Sequence, residues 1–554
     1  MSKGRVLYFK DAAAWLKVNK EFGDGNPYDY LIDWIDSMAR NTAMLDVYGT
    51  SPTNTINYLT DRAKNDASIK QSEMQMLGKM SRKSPVAELK DDLSKFEDTW
   101  QLATLGNKAS DENTFATIMS TTRNITRSAL LSGSIFANVF GDTANVSRTM
   151  MMNNLSPVKY LDYYTKLAAN NTTRKEAIRA GLIADEATNR MIGAERYFIV
   201  EQGARWSKYV SDVVMRVGGV SPHTQIAKWA TGMSYMGEFA DNAGKSFDEL
   251  PFKAVLERYG VTPDEWDIMR KVMPHQPKDL NILRPNDLRG AGVVSEEQAN
   301  DIADKFMNVI FSESKRSVIE ATYRARAAMG ANVQAGTIKG EALRTFGEFK
   351  SFPMTITMAL GQELLLKKGA FSKVSHITKF FLYMTIAGAG ALQMSNLASG
   401  KDPQDMNDPK FWGQAAMKGG SFGYLGDFLF ADYNEYGASF GESLLGPSSK
   451  FWFDIGKMTI GSGMKVAAGE ETEIQKQAVQ FVQRYMPASK IPVVKSVFER
   501  SIIDQLLLAV DPKAAASFRK SEQKLMKDKK QKRWWKKGDA LPNRAPDFSA
   551  VIQK

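Results

Sequence analysis

Between Lys379 and Lys401 lie twenty-one residues, FFLYMTIAGAGALQMSNLASG, without a single charge. A helix of about 20 apolar residues spans the hydrocarbon of a bilayer, so this window limits the chain to two solutions. Either the segment inserts into a membrane, or the rest of the protein covers it, because an apolar stripe of this length left in water aggregates. Small residues at Gly388, Gly390 and Ala391 would let a second helix approach closely inside a membrane. Gln393, Ser395 and Asn396 weaken the last third, and Lys373, Lys379 and Lys401 could reach headgroups from either end. The candidate membrane-contacting residues are Phe380, Phe381, Leu382, Tyr383, Met384, Ile386, Gly388, Gly390 and Leu392.

The remainder of the chain reads as helix. In SPHTQIAKWATGMSYMGEFADNAG, the residues Ile226, Trp229, Met233, Met236, Phe239 and Ala240 recur at intervals of three and four, the period of one buried helical face. Four capping pairs mark helix starts: Thr173 with Glu176, Ser246 with Glu249, Thr262 with Glu265 ahead of Pro263, and Ser295 with Gln298. Alternating β-branched runs are scarce, and the best of them, KIPVVKSVF, contains Pro492. The expected fold is therefore mainly α: an elongated, multi-subdomain assembly of short and medium helices with no substantial β-sheet.

Turn residues suggest the organisation. The expected regions are an N-terminal helical region 1–154, a central one 155–275, a Pro/Gly-rich connector 276–293, and a helical region 294–400 that carries the window 380–400. After these come a Gly/aromatic-rich segment 401–447, C-terminal helices 448–537 ending in a basic arm, and an extended tail 538–554. No fixed-period repeat is visible. The N-terminus has no apolar core followed by a cleavage site, so the expectation is synthesis and, at least initially, retention in a cytoplasm.

The net charge of +11 is concentrated in the arm. From Arg519 to Lys537 ten basic residues face only Glu522 and Asp528, which leaves a small surplus for the rest of the chain. The candidate contacts to DNA or anionic lipid are Arg519, Lys520, Lys524, Lys527, Lys529, Lys530, Lys532, Arg533, Trp534, Trp535, Lys536 and Lys537. The alternative reading is a solvated helix whose tryptophans pack back on the body. In GDFLFADYNEYGASFGESLLGP, the residues Phe428, Phe430, Tyr433, Tyr436 and Phe440 on a glycine-rich backbone are candidate partner-binding anchors, or else an internally packed turn.

Chemistry is sparse. Cysteine is absent, and the three histidines, His223, His275 and His376, show no metal-ligand spacing, so neither a thiolate nor a histidine metal site is expected. No nucleotide-binding or serine-hydrolase motif occurs. Glu348 in RTFGEFKSFP is a conceivable lone acid of the murein-cleaving kind, but a single glutamate among aromatics is far commoner as a helix surface charge. The chain reads as a non-enzyme without a cofactor.

Several stretches carry a resemblance: FKDAAAWLKVNKEFG, RAGLIADEATNRMIGAERY, LERYGVTPDEWDIMR, GEFKSFPM and FERSIIDQLLLAVDPKAAASFRKSEQKLMKD. They resemble a family of large internal virion proteins of tailed bacteriophages and prophages, and the resemblance runs through nearly the whole chain. It implies a protein of the ejection class: made in the bacterial cytoplasm, packaged near the portal with other virion proteins, expelled ahead of the genome, and reassembled as an oligomer into a conduit across the host envelope. On that reading DNA and the host membrane are the surfaces the basic arm and the apolar window would meet. Absence of covalent staples and 28 pliable methionines fit such a traveller. Two other classes stay open, a DNA-binding packaging factor acting through the arm and a murein-degrading enzyme.

Overall fold

The computed structural model describes residues 9–22, 27–78, 83–105, 114–182, 205–277, 280–320, 322–328, 333, 337–347, 351–366, 369–420, 447–462, 464, 473–492 and 494–551. The fold is mainly α. Among the described residues the only β pairing is two isolated bridges, His275 with Ile282 and Lys401 with Arg533. The described helices form two compact units, one containing α1–α4 and the other everything from α5 onward.

In the first unit, α1 (Ala12–Phe22), α2 (Pro27–Tyr48), α3 (Pro52–Met76) and α4 (Pro85–Leu105) follow one another. Three of these helices begin at proline, whose fixed φ suits the first helical turn and whose missing N–H costs nothing there. Helix α3 packs on α2 and α4. Trp100 meets Tyr48 edge-on at 5.3 Å and stacks on Phe96 at 6.0 Å. No side chain described in this unit is buried.

The second unit opens with α5 (Thr114–Leu131), α6 (Ile135–Met152), α7 (Pro157–Ala169) and α8 (Asn171–Ala177), then α9 (Arg205–Val217) and α10 (Val220–Asp241). Helix α10 is its centre. Trp229, Met233, Met236, Phe239 and Ala240 are buried as the periodicity requires, and Ile226 is half-buried. Burial goes further than one face, since α10 packs on α6, α7, α9 and α13 (Glu296–Ser317) and is covered almost all round. Between α10 and α13 lie α11 (Lys253–Arg258) and α12 (Pro263–Met269). Phe239, Phe252, Trp266 and Phe306 form an aromatic cluster, with Phe239 at 5.4 Å from Phe252, 5.5 Å from Phe306 and 6.3 Å from Trp266. Edge-to-face geometry adds to the area that such rings remove from water.

Three capping pairs form. Thr262 accepts from the Glu265 backbone at 3.3 Å while Glu265 accepts from Thr262 N at 2.8 Å. Ser246 pairs with Glu249 at the head of a short 3₁₀ turn, and Ser295 accepts from Gln298 N. The fourth does not. Asn170 caps α8 by accepting from Thr172 N at 2.8 Å, Thr173 is buried inside the helix, and Glu176 instead holds Arg179 and His275. Residues 276–293, read as a connector, place Leu280, Ile282, Leu283 and Leu288 in the same core as α10.

Next come α14 (Tyr323–Ala328), α15 (Ile338–Phe346), α16 (Ser351–Leu366), α17 (Ala370–Ala398) and α18 (Pro409–Lys418). The C-terminal part comprises α19 (Pro447–Gly456), α20 (Ile474–Tyr485), α21 (Val494–Val497), α22 (Asp504–Val510) and α23 (Ala514–Lys529). The β candidate KIPVVKSVF thus contributes a helix, and the tail carries a 3₁₀ turn at Phe548–Val551.

Candidate functional site: the apolar helix α17 and its two anchors

Helix α17 contains the uncharged window as far as Ala398, extended toward its N-terminus by Lys373, His376 and Lys379. Those polar residues, with Gln393, Ser395 and Asn396 at the other end, break the apolar run. Among the described residues no helix is long and apolar enough to cross a membrane, which corrects the bilayer-spanning length read from the window.

The helix has two faces. Phe380, Met384, Thr385, Ala387, Gly388, Ala389 and Ala391 are buried, and Tyr383, Gly390 and Leu392 are half-buried. The small residues of this face serve close approach within the chain. A methyl group on Gly388 would collide with the Ala415 carbonyl of α18, and one on Gly419, just beyond α18, with the Met384 carbonyl. Phe140 of α6 lies against Gly390. The opposite face is apolar and exposed: Phe371 is 89% exposed, Leu382 and Ile386 each 56%, and Val374, Ile377 and Phe381 join them. The stretch from Ser351 to Ala398 has one acidic residue, Glu363, and that one is buried.

Glu363 is the first anchor. Its carboxylate, on α16, accepts from Arg148 of α6 at 2.8 and 3.4 Å, from Arg316 of α13 at 3.1 Å and from His376 Nε2 of α17 at 2.8 Å. One buried anion therefore joins four helices. Burial alone would raise its pKa, but the charge and hydrogen bonds of Arg148, then Arg316 and His376, hold it below the ordinary glutamate value. Asn145 orients Arg148 by accepting at 2.8 Å, and the guanidinium stands 5.4 Å from the Phe380 ring centroid. Arg316 also lies 3.6 Å from Glu313, a fully buried carboxylate that accepts from Asn153, Tyr235, Arg258 and Tyr259. The ionic chain thus runs from the edge of the aromatic core to α17.

The second anchor is the basic arm, which folds back on the C-terminal end of α17. Gly400, in the left-handed region at φ 72°, turns the chain, and its carbonyl accepts from Trp534 N at 3.0 Å and Trp535 N at 3.1 Å. A side chain there would press on Trp535. Lys401 bridges Arg533, and Asp402 N donates to Lys532 O at 2.9 Å. Asp402, itself buried, accepts both terminal nitrogens of Arg544 and the Asp547 N–H, so the region read as an extended tail is strapped down.

The arm's candidate residues divide accordingly. Arg519, Lys520, Lys524, Lys527, Lys530, Lys532 and Lys536 are exposed. Lys529, Trp534 and Lys537 are half-buried, with Lys529 donating to Gln414 at 3.0 Å. Arg533 and Trp535 are buried, the former on Glu522 at 2.7 Å and the latter donating to Asp539 O at 2.8 Å. The basic stretch therefore turns most of its lysines outward and packs one tryptophan against the body.

Phe428, Phe430, Tyr433, Tyr436, Phe440 and Glu348 lie outside the described residues. Each histidine has a carboxylate neighbour: His223 Nε2 is 3.0 Å from Asp142, with Nδ1 2.7 Å from Tyr164 Oη, and His275 is 3.0 Å from Glu176. Sequence reasoning missed Glu363, Arg148 and Arg316, whose separations of 215 and 47 residues leave no local signal. The chain matches no protein-family model, no curated protein and no solved structure.

Proposed function

We propose that the protein is an internal virion protein of the ejection class, carried in the capsid, released with the genome, and assembled with other virion proteins and with its own copies at the host envelope, without catalysis. The observation that carries this reading is the outward apolar face of α17. Phe371, Val374, Leu382 and Ile386 are exposed on a helix whose other face is already covered by α6 and α18, and exposed lysines but no exposed carboxylate accompany them. Such a face suits lipid or a sister subunit after delivery. The sequence likeness to phage internal proteins supplies the setting.

Mass spectrometry of intact and DNA-emptied particles tests the role: the protein should be present in the first and lost from the second, and quantitative recovery from emptied shells would end the proposal. For the envelope contact, Leu382→Lys combined with Ile386→Lys should abolish flotation with anionic liposomes. Both sites are exposed, so stability should move by no more than about 0.5 kcal/mol. Flotation at the wild-type level would remove α17 from the contact.

A packaging role through the arm has its own support in the exposed cations Arg519, Lys520, Lys524 and Lys527 on α23. It requires duplex-DNA affinity that falls steeply with salt and disappears when these four become glutamine.

A further inference from the structure

The first unit differs from the second in having no interior of its own. Among its described residues no side chain is buried, yet helices in proteins owe most of their stability to packing an apolar face. Cysteine is absent, so no disulfide replaces that packing. Helix α2 carries the uncovered face. Leu31, Trp34, Ile35, Met38 and Leu45 are 52, 61, 44, 39 and 50% exposed. At 3.6 residues per turn they fall within one stripe about 100° wide. The side of α2 next to the stripe is already in use: Asn41, Met44 and Tyr48 are half-buried, Tyr48 edge-on to Trp100 of α4.

The spacing of the stripe identifies its partner. Leu31 and Leu45 each stand seven residues from Met38, so the two ends are interchangeable. A second copy laid antiparallel and related by a two-fold axis at Met38 sets Leu31 against Leu45 and Met38 against Met38. The same rotation faces bulky Trp34 with the smaller, exposed Thr42. A parallel copy would instead stack Trp34 on Trp34 and bring Asp46, the charge nearest the stripe, beside its own equivalent, where like charges repel. We propose that α2 is a self-pairing helix, through which two copies of this chain associate antiparallel about Met38. This is where copies of the chain meet in the assembly proposed above, and it rests on that reading. Purified protein tests the pairing and particle composition tests the role, so either can fail alone.

The test is sedimentation equilibrium of the purified full chain. The wild type should pass from monomer to dimer mass with concentration, and Met38→Glu, which sets two carboxylates face to face, should raise the dissociation constant at least about tenfold. Leu31→Glu and Leu45→Lys should each weaken the dimer and together restore it. Because the chain has no cysteine, Met38→Cys places one thiol per copy at the axis. Diamide should link these thiols into a disulfide dimer, whereas Leu31→Cys should link only when mixed with Leu45→Cys. All three sites are exposed, and unchanged far-ultraviolet ellipticity checks that the variants fold. A monomer at every concentration, or a dimer that folded Met38→Glu leaves intact, overturns the pairing. Linking by Leu31→Cys alone overturns its antiparallel sense. Binding of phosphatidylglycerol vesicles by the wild type but not by Met38→Glu, with the mass monomeric throughout, overturns the pairing and assigns the stripe to lipid.

Discussion

The aromatic cluster around α10 and the ionic seam around α17 are both buried, yet they hold the chain by different means. Phe239, Phe252, Trp266 and Phe306 need only one another, and the polar atom of the group, Trp266 Nε1, donates to Lys245 O at 3.0 Å. At the seam, Glu363, Arg148, Arg316 and His376 each depend on the others to offset the cost of leaving water. Buried ion pairs return little net stability against an apolar alternative, while loss of one partner is severe. The teaching is that the same depth of burial gives an irreversible-looking core in one place and a conditional clasp in the other.

The largest effect should come from the core. Trp266→Ala should cost about 3–5 kcal/mol and lower the denaturation midpoint of the whole second unit. Glu363→Gln should cost roughly 3 kcal/mol, expressed first as early hydrogen exchange in α16 and α17 while α10 stays protected. Simultaneous loss of protection in α10 and α17 would erase the distinction.

Acid sharpens the same contrast. Because Glu363 is held below its ordinary value of 4.5, its contribution is complete above that pH and is lost as pH falls through the lowered folded value. Wild-type α17 should open in this acid range ahead of α10, whereas in Glu363→Gln, where α17 is already open early, this pH dependence should be absent. The smallest effect is Thr262→Ala, which removes one cap from α12 beside the aromatic core and should cost about 1 kcal/mol. A loss as large as that of Trp266→Ala would mean that the cap, not the rings, secures this region.

The aromatic core was largely legible in the sequence because its signals are local: the three-and-four spacing from Trp229 to Ala240 and the Thr262–Glu265 pair each act within a few residues. Thr173–Glu176 shows the limit, since its pattern is satisfied but Glu176 serves His275 from a distant segment. The two faces of α17 were only half legible. Glycine and alanine announced close approach, but nothing local distinguished a membrane partner from α18. The seam was illegible, because an ordinary glutamate, two arginines and a histidine acquire meaning only when four helices meet.

The mutual contact of Gly388 and Gly419 with the carbonyls of the opposite segment has a mechanical consequence. Backbones this near cannot move past each other like a piston in a sleeve, because Ala389, already packed on Phe411 and Ala415, would strike the facing peptide groups within a fraction of a turn. If α17 ever leaves the body, it must lift away sideways, beginning from one end.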